Sequence, residues 1–322
     1  MNKYDLGIID AQYILRRNFS VQTMNEQTVD WRLLLKSFYQ SIMKLKRDFD
    51  FRRPVLLFDK YPYIKSQGVE QYKTDRHYTN EDDVANLVKE IMDCTDPIKK
   101  SELQDQLSST QRGLYNEKQL IKAKYDVVKN GTSLGFPTLI KTGYEADDLS
   151  FGLTEKVREY GLSAILLTTD RDWVAFRSKE VWYSTPKFDK RNDLCKELIE
   201  YSKICNLPLY EIGVLKEIYG GSHNNVEGYE FSEKIPFTEF ATRVVSKDET
   251  LPGLQKTFDF YNSMNMRRYL PELDKMLDFI LGPLNITGNW HTYCMERDMR
   301  LNYMTYSDYL MGISEGFLDG KQ

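Results

Sequence analysis

Three short apolar runs that each lead into an aspartate constrain the fold more than any other feature. They are residues 4–10 (YDLGIID), 54–59 (PVLLFD) and 164–170 (AILLTTD), which end in Asp10, Asp59 and Asp170. Such runs are typical of strands buried on both faces, and the helical periodicity between them indicates βαβ units. We therefore predict an α/β protein with a central, mostly parallel sheet flanked by helices. The three aspartates should meet at the carboxyl edge of that sheet, where sites form in this architecture.

The remaining pattern divides the chain in two. Helical periodicity covers residues 27–50 and 145–160, and two further strand candidates lie at 136–142 and 181–185. A polar, helix-prone segment at about 60–135 is too long for a simple crossover, so we predict that it forms a helical arch over the strand ends. After residue 190 the pattern is helical. The prediction is an α/β core at 1–190, with the arch inserted at 60–135, and a helical C-terminal region at 191–322.

Composition excludes several classes of protein. The 322 residues carry a net charge of -4, and mean hydropathy is -0.55 with no apolar run near twenty residues, which argues against a membrane span. No signal-peptide pattern begins the sequence, so we expect a cytoplasmic protein. Four cysteines without a CxxC pair and only three histidines leave little basis for a zinc site or a histidine-based hydrolase.

Acidic residues add to the three strand-end aspartates. Tyr144-Glu145-Ala146-Asp147-Asp148 lies where a helix should begin, and Asp170-Arg171-Asp172 follows the third run. A helix N-terminus attracts one or two acidic residues, and a strand often ends in aspartate, so each piece alone has an ordinary structural explanation. Seven carboxylates at one edge repel each other strongly unless cations neutralise them. Mg²⁺, or Mn²⁺ in its place, suits such oxygen ligands, and two ions about 4 Å apart could activate water and stabilise a leaving oxygen.

This ordered set of residues resembles the 5′-nuclease superfamily of flap endonucleases, polymerase 5′-nuclease domains and phage exonucleases. Its spacing and helical C-terminal half are most similar to the ribonuclease H branch of the T-even phages. The resemblance covers residues 4–230 and implies 5′→3′ exonuclease or flap endonuclease activity, possible RNase H activity, and DNA or RNA–DNA hybrid substrates. It identifies the candidate ligands of the first metal as Asp10, Asp59, Glu145, Asp147 and Asp170, and those of the second as Asp148, Asp172 and Asn224.

Basic residues follow the second strand in the order that the family uses for its arch. The matching positions are Lys65, Tyr72, Lys73 and Arg76. Lysine and arginine neutralise phosphates and tyrosine stacks on bases, so we predict that these residues bind nucleic acid and that Lys65 and Lys73 also assist catalysis. A second basic run at 112–129 includes Lys118 and Lys122, which either bind nucleic acid or form a solvated helix face.

The sequence departs from the family near residue 220. A Gly-Asp-x-x-Asp-Asn segment is expected in a helix–turn–helix element, but Gly221 and Asn224 replace its two aspartates, while Asn225 matches the final asparagine and should contact nucleic acid. An amide binds a hard cation less strongly than a carboxylate does. The second metal site should therefore be weakened and the helix–turn–helix DNA-binding element degenerate.

The leading hypothesis is a monomeric, metal-dependent 5′-nuclease that removes primers during phage-type replication, in the host cytoplasm if a phage encodes it. A sliding clamp or a single-strand-binding protein is the partner that the resemblance implies. One alternative is a weak or inactive DNA-binding protein of the same fold. Another is a toxin-like ribonuclease with a similar acidic cluster, against which the arch segment and the helical C-terminal half argue.

Overall fold

The computed structural model describes residues 3–60, 81–170, 172–185, 193–220, 235–248 and 270–299. Five strands within these ranges form one sheet in the order β3-β2-β1-β4-β5, and every pairing among them is parallel. This confirms the predicted α/β class. The strands are β1 (Tyr4–Asp10), β2 (Phe51–Leu57), β3 (Thr138–Leu139), β4 (Ala164–Leu167) and β5 (Val181–Ser184).

The strand order places a topological switch at the centre of the sheet. The chain passes from β1 to β2 on one side and later to β4 on the other side, so that β1 pairs with both. In parallel sheets a crevice opens beyond the carboxyl ends of the strands at such a point. Asp10 is the last residue of β1 and therefore lies at the mouth of this crevice.

Ten described α-helices surround the sheet or extend from it. They are α1 (Ala11–Glu26), α2 (Trp31–Phe49), α3 (Glu81–Asp93), α4 (Pro97–Asn130), α5 (Ala146–Glu159), α6 (Asp193–Cys205), α7 (Leu209–Gly220), α8 (Phe237–Val245), α9 (Leu270–Leu281) and α10 (Trp290–Glu296). Short 3-10 helices occupy Thr132–Leu134 and Asp172–Phe176.

The sheet separates two hydrophobic cores. In β4, Ala164 and Leu166 pack with α5, α7, α8 and α9 on one face, whereas Ile165 and Leu167 pack with α1, α2, α4 and α10 on the other. This alternation explains why the strand is apolar throughout: side chains of period two fill both cores. Of the C-terminal helices, α9 thus contributes to the core on one face of the sheet and α10 to the core on the other.

The second strand begins three residues earlier than the sequence predicts, at Phe51 rather than Pro54. Its Arg53 is fully buried and donates hydrogen bonds to the carbonyl oxygens of Ile280 and Gly282 at the end of α9. The negative end of the helix dipole stabilises this buried cation.

Proline is tolerated at residue 54 because, within the described ranges, β3 pairs with β2 only from Leu56 onward, so no described strand needs an N–H group from residue 54 on that edge.

The predicted arch segment contains the helices α3 and α4. The last turns of α4 lie on the sheet, where Leu120, Ala123 and Val127 are buried in the core, so this part of the segment does not project. Residues 61–80, which carry the predicted nucleic-acid-binding side chains that follow strand two, lie outside the described residues, as do residues 221–234 with the helix–turn–helix candidate. No described helix has the length and apolarity needed to cross a membrane.

Candidate metal site at the carboxyl edge of the sheet

Asp10 is fixed from two directions at the end of β1. One carboxylate oxygen accepts a hydrogen bond from the backbone N–H of Tyr13 at 2.8 Å, which caps α1, and the other accepts from the Thr168 hydroxyl at 2.8 Å. The oxygen of that hydroxyl accepts from the backbone N–H of Asp170 at 3.0 Å. Thr168 therefore connects the ends of β1 and β4 and brings two predicted ligands to one place.

Burial and neighbouring negative charge change the acidity of Asp10. Burial raises the pKa of its carboxyl from 3.8 to about 7, and the charges of Asp59 and Asp170 also raise it, whereas the hydrogen bonds from Tyr13 and Thr168 lower it. Asp59 and Asp170 are thus both close enough to Asp10 to repel its carboxylate. A bound cation would favour the ionised form of Asp10.

Asp59 connects the end of β2 to the start of α5. Its carboxylate accepts a hydrogen bond from the backbone N–H of Ala146, the first residue of α5, at 2.9 Å. The backbone N–H of Lys60 donates to the carbonyl of Tyr144 at 3.2 Å. These contacts hold a third strand-end aspartate against the acidic first turn of α5.

The first turn of α5 holds three carboxylates together. Oxygen atoms of Glu145, Asp147 and Asp148 lie within 4.8 Å of one another. The Asp148 carboxylate accepts from the Glu145 backbone N–H at 2.9 Å, and the Asp147 carboxylate accepts from the Asp148 N–H at 2.8 Å. Backbone donors at the helix N-terminus thus orient these side chains, which agrees with the ordinary preference of a helix N-terminus for acidic residues.

Tyr144, at the start of the same motif, serves the fold. Its ring is buried and its hydroxyl donates to the Glu272 carboxylate of α9 at 2.9 Å. The Lys141 ammonium donates to the Glu272 carbonyl oxygen at 3.0 Å. The turn that carries the acidic cluster is therefore anchored to α9.

The residues fit a hard divalent cation. Six of the seven predicted carboxylates are described with their side chains, and all six belong to this edge of the sheet: Asp10, Asp59, Glu145, Asp147, Asp148 and Asp170. The donors are oxygens, which Mg²⁺ and Mn²⁺ prefer, without the sulfur ligands of structural zinc sites. Asp172 starts a 3-10 helix two residues beyond Asp170, and its side chain lies outside the described part of the structure, as do Asn224 and Asn225.

Lys124, like Thr168, is a site residue that the sequence alone did not single out. Its ammonium donates to the carbonyl oxygen of Asp59 at 2.8 Å and lies 5.5 Å from the ring centre of Phe58. Burial lowers the pKa of Lys124, Asp59 raises it, and the nearby charges of Lys60 and Arg16 lower it. Its place in a basic run was visible in the sequence, but the face of α4 that it occupies was not.

The two predicted nucleic-acid-binding lysines of α4 are exposed and contact other elements. The Lys118 ammonium forms an ion pair with Glu81 at the start of α3 at 2.8 Å. The Lys122 ammonium lies 4.3 Å from the ring centre of Trp31 at the start of α2. Both lysines therefore have contacts within the fold, and their role in nucleic-acid binding stays a prediction.

Fold and site together define an α/β protein with a carboxylate-lined crevice suited to hard cations. The chain belongs to the 5′-3′ exonuclease family, because the model of that family's N-terminal resolvase-like domain matches residues 5–201. This match places it in the 5′-nuclease superfamily, as the sequence motifs imply. A search of curated proteins finds none that matches the chain.

Solved structures of 5′-nucleases are similar over nearly the whole chain. A bacteriophage T5 5′-exonuclease with bound zinc is 16% identical, with 96% of this chain and 98% of that chain covered and a TM-score of 0.48. A bacteriophage T5 flap endonuclease in a pseudo-enzyme-product complex with DNA and metal ions is 17% identical, with coverage of 96% and 97% and a TM-score of 0.46. The catalytic core of Rad2 with a DNA substrate is 16% identical, with coverage of 97% and 79% and a TM-score of 0.36.

Proposed function

We propose that this chain is a metal-dependent 5′→3′ exonuclease or flap endonuclease that hydrolyses phosphodiester bonds of DNA or of an RNA–DNA hybrid. The observation that carries the proposal is the convergence of Asp10, Asp59 and Asp170 with the acidic first turn of α5 at the topological switch point. Membership of the 5′-3′ exonuclease family supports the same reaction.

Each carboxylate has a proposed role in holding metal. Asp10, Asp59, Glu145, Asp147 and Asp170 would hold the first ion and its waters. Asp148, Asp172 and Asn224 would serve a second, weaker site. Mg²⁺, with Mn²⁺ as a substitute, would lower the pKa of a bound water and neutralise phosphate oxygens.

Basic, aromatic and amide side chains are proposed to position the phosphate and bind the nucleic acid. Lys65 and Lys73 would draw the scissile phosphate toward the carboxylates and stabilise negative charge in the transition state. Tyr72, Arg76, Lys118, Lys122 and Asn225 would bind the nucleic acid. A 5′ end or 5′ flap is the proposed substrate and primer removal in phage-type replication the proposed role. We propose further that the protein is a monomer in the cytoplasm and that a sliding clamp or a single-strand-binding protein recruits it.

The test uses labelled 5′ flaps and nicked RNA–DNA hybrids. The full chain should release 5′ products with Mg²⁺ and none with a chelator, and Asp147→Ala and Asp170→Ala should each abolish release. Glu180→Gln, which removes a charge just before β5 at the amino edge of the sheet, is the matched control and should cleave normally. Binding of the flap without cleavage in Mg²⁺ or Mn²⁺ would instead support the inactive DNA-binding alternative.

A further inference from the structure

A group of cations lies beside Asp59, on the side of the acidic cluster that faces α4. Lys124 reaches the end of β2 from α4 and bonds to the Asp59 carbonyl at 2.8 Å. Lys60 is the next residue in the chain, with an exposed side chain on a backbone that the Tyr144 carbonyl fixes. Two lysines are therefore adjacent to one candidate metal ligand, Lys60 along the chain and Lys124 through a hydrogen bond.

Arg16 brings a third cation to this side of α4. It forms an ion pair at 3.1 Å with Glu117, which lies seven residues before Lys124 on the same helix. Seven residues make almost two turns, so Glu117 and Lys124 share one face of α4, about 10 Å apart along its axis. The charges of Arg16 and Lys60 also act on Lys124, which agrees with this placement.

The contacts of these cations leave positive charge for a ligand. A carbonyl oxygen accepts a hydrogen bond from Lys124 without neutralising it, and it occupies one of the three N–H donors of the ammonium. No carboxylate in the described part of the chain forms an ion pair with Lys124. The Arg16–Glu117 pair is solvent-exposed, and such pairs contribute little, so Arg16 can exchange its partner for a stronger anion.

We propose that Lys124 and Lys60, with Arg16 at the rim, form a phosphate-binding site beside Asp59 that holds a nucleic-acid phosphate next to the one being cleaved. The site rests on the proposed function, which supplies the nucleic acid. Two phosphates have the required chemistry, an internal backbone phosphate and a 5′-terminal phosphate. The carbonyl contact fixes the Lys124 ammonium relative to Asp59, so the site would set how far the strand advances past the metal ligands.

The experiment measures binding of a duplex with a single-stranded 5′ overhang to the full chain, without divalent cation, over a range of salt concentrations. One phosphate contact contributes about 0.9 to the slope of log affinity against log salt concentration. Lys124→Met should lower affinity by about threefold to tenfold and reduce the slope by about 0.9, while Lys124→Arg should stay close to the parent protein. Lys179→Met makes the same charge change just before β5, at the opposite edge of the sheet, and should have no effect.

Two versions of the oligonucleotide distinguish the phosphates. A loss confined to the 5′-phosphorylated version assigns the site to the terminal phosphate, and an equal loss with a 5′-hydroxyl assigns it to the backbone. Equal affinities and slopes for Lys124→Met and Lys179→Met would overturn the proposal. If circular dichroism shows that Lys124→Met is unfolded, the exposed Lys60→Met decides in its place by the same slope.

The outcome is separable from that of the proposed function. A parent protein that binds the overhang through Lys124 but never cleaves it would contradict the nuclease assignment and support the phosphate site. A parent protein that cleaves normally while its affinity is independent of Lys124 and Lys60 would contradict the phosphate site alone. A parent protein that does not bind the overhang without divalent cation but cleaves it with Mg²⁺ would contradict the phosphate site alone, and one that does neither would contradict both.

Discussion

The two ends of α5 each gather three carboxylates, but they hold them in different ways. At the C-terminal end, Glu159, Asp274 and Asp278 surround the ammonium of Lys156 at 3.3, 2.5 and 3.2 Å. Burial alone would lower the pKa of Lys156, but the hydrogen bonds to these carboxylates outweigh it and hold the pKa above its usual range. Here the protein supplies its own counter-charge, and the group joins α5 to α9.

At the N-terminal end, the described contacts of the carboxylates include backbone N–H groups. In the group of Glu145, Asp147 and Asp148, the two aspartates accept from the amides of Asp148 and Glu145. Asp59, beside this group, accepts from the amide of Ala146. Amide donors orient carboxylates while leaving their formal charge in place. The pKa of the neighbouring Asp10 is raised mainly by burial and also by the charges of Asp59 and Asp170. The C-terminal group stabilises the contact between α5 and α9, and the oxygen-rich N-terminal group is the one that we propose holds an external cation.

Removing one charged group from the N-terminal end of α5 should reduce cleavage but not stability, whereas removing one from the C-terminal end should reduce stability but not cleavage. Asp147→Asn should reduce Mg²⁺-dependent cleavage by about 100-fold or more, because loss of even an outer ligand costs about 10- to 100-fold. It should not lower the stability of the metal-free protein, because it relieves repulsion. Lys156→Met should lower the free energy of unfolding by about 1–3 kcal/mol, since its carboxylate partners lose their counter-charge but remain partly solvated.

Cleavage rates and urea unfolding of both variants provide the check. Lys156→Met should cleave at a rate close to that of the parent protein once it is folded. A stability loss in Asp147→Asn as large as that in Lys156→Met would contradict the comparison, because both clusters would then be structural.

The stability of the metal-free protein should depend on Asp10 between about pH 4 and pH 7. The pKa of this group is about 7 in the folded protein, and 3.8 is its ordinary value. The stability that the neutral carboxyl contributes is therefore complete below pH 3.8 and is lost as the pH rises to about 7. Asp10→Asn, which is neutral at every pH, should lack this loss.

Urea unfolding of the two proteins in a chelator, at several pH values, measures the effect. The parent protein should become less stable relative to Asp10→Asn across that range. A constant difference between the two proteins would show that Asp10 is not held in its neutral form.

The smallest expected effect concerns the hydroxyl that links β1 to β4. Thr168→Val keeps the shape of this buried residue but removes its hydrogen bonds with Asp10 and the Asp170 amide. The expected loss of stability is about 1 kcal/mol. Because the Thr168 hydrogen bond lowers the pKa of Asp10, the variant should also need a higher pH for full cleavage.

Thr168→Ser, which keeps the hydroxyl, is the control for this change. It should retain the pH profile of the parent protein even if the lost methyl group lowers stability. Identical pH profiles for the valine and serine variants would mean that the hydroxyl does not tune Asp10.

The sequence predicted the parallel sheet and its acidic edge because both depend on local patterns. A buried strand needs a continuous apolar run, and a site at its end needs a polar residue directly after it, as at Asp10 and Asp59. The early start of β2 was not predictable in this way, because the buried Arg53 bonds to carbonyls at the end of α9, more than 200 residues away. The role of Lys124 was not predictable for a similar reason, since its contact with Asp59 depends on how α4 crosses the end of β2.

Direct titration with Mn²⁺, followed by electron paramagnetic resonance or calorimetry, tests the central claim that the carboxyl edge of the sheet is a cation site. The parent protein should bind at least one ion, Lys156→Met should bind it equally well, and Asp147→Asn and Asp170→Asn should bind it at least about 10-fold more weakly. A parent protein that binds no Mn²⁺, or one whose Mn²⁺ affinity is unchanged by both aspartate substitutions, would contradict the account.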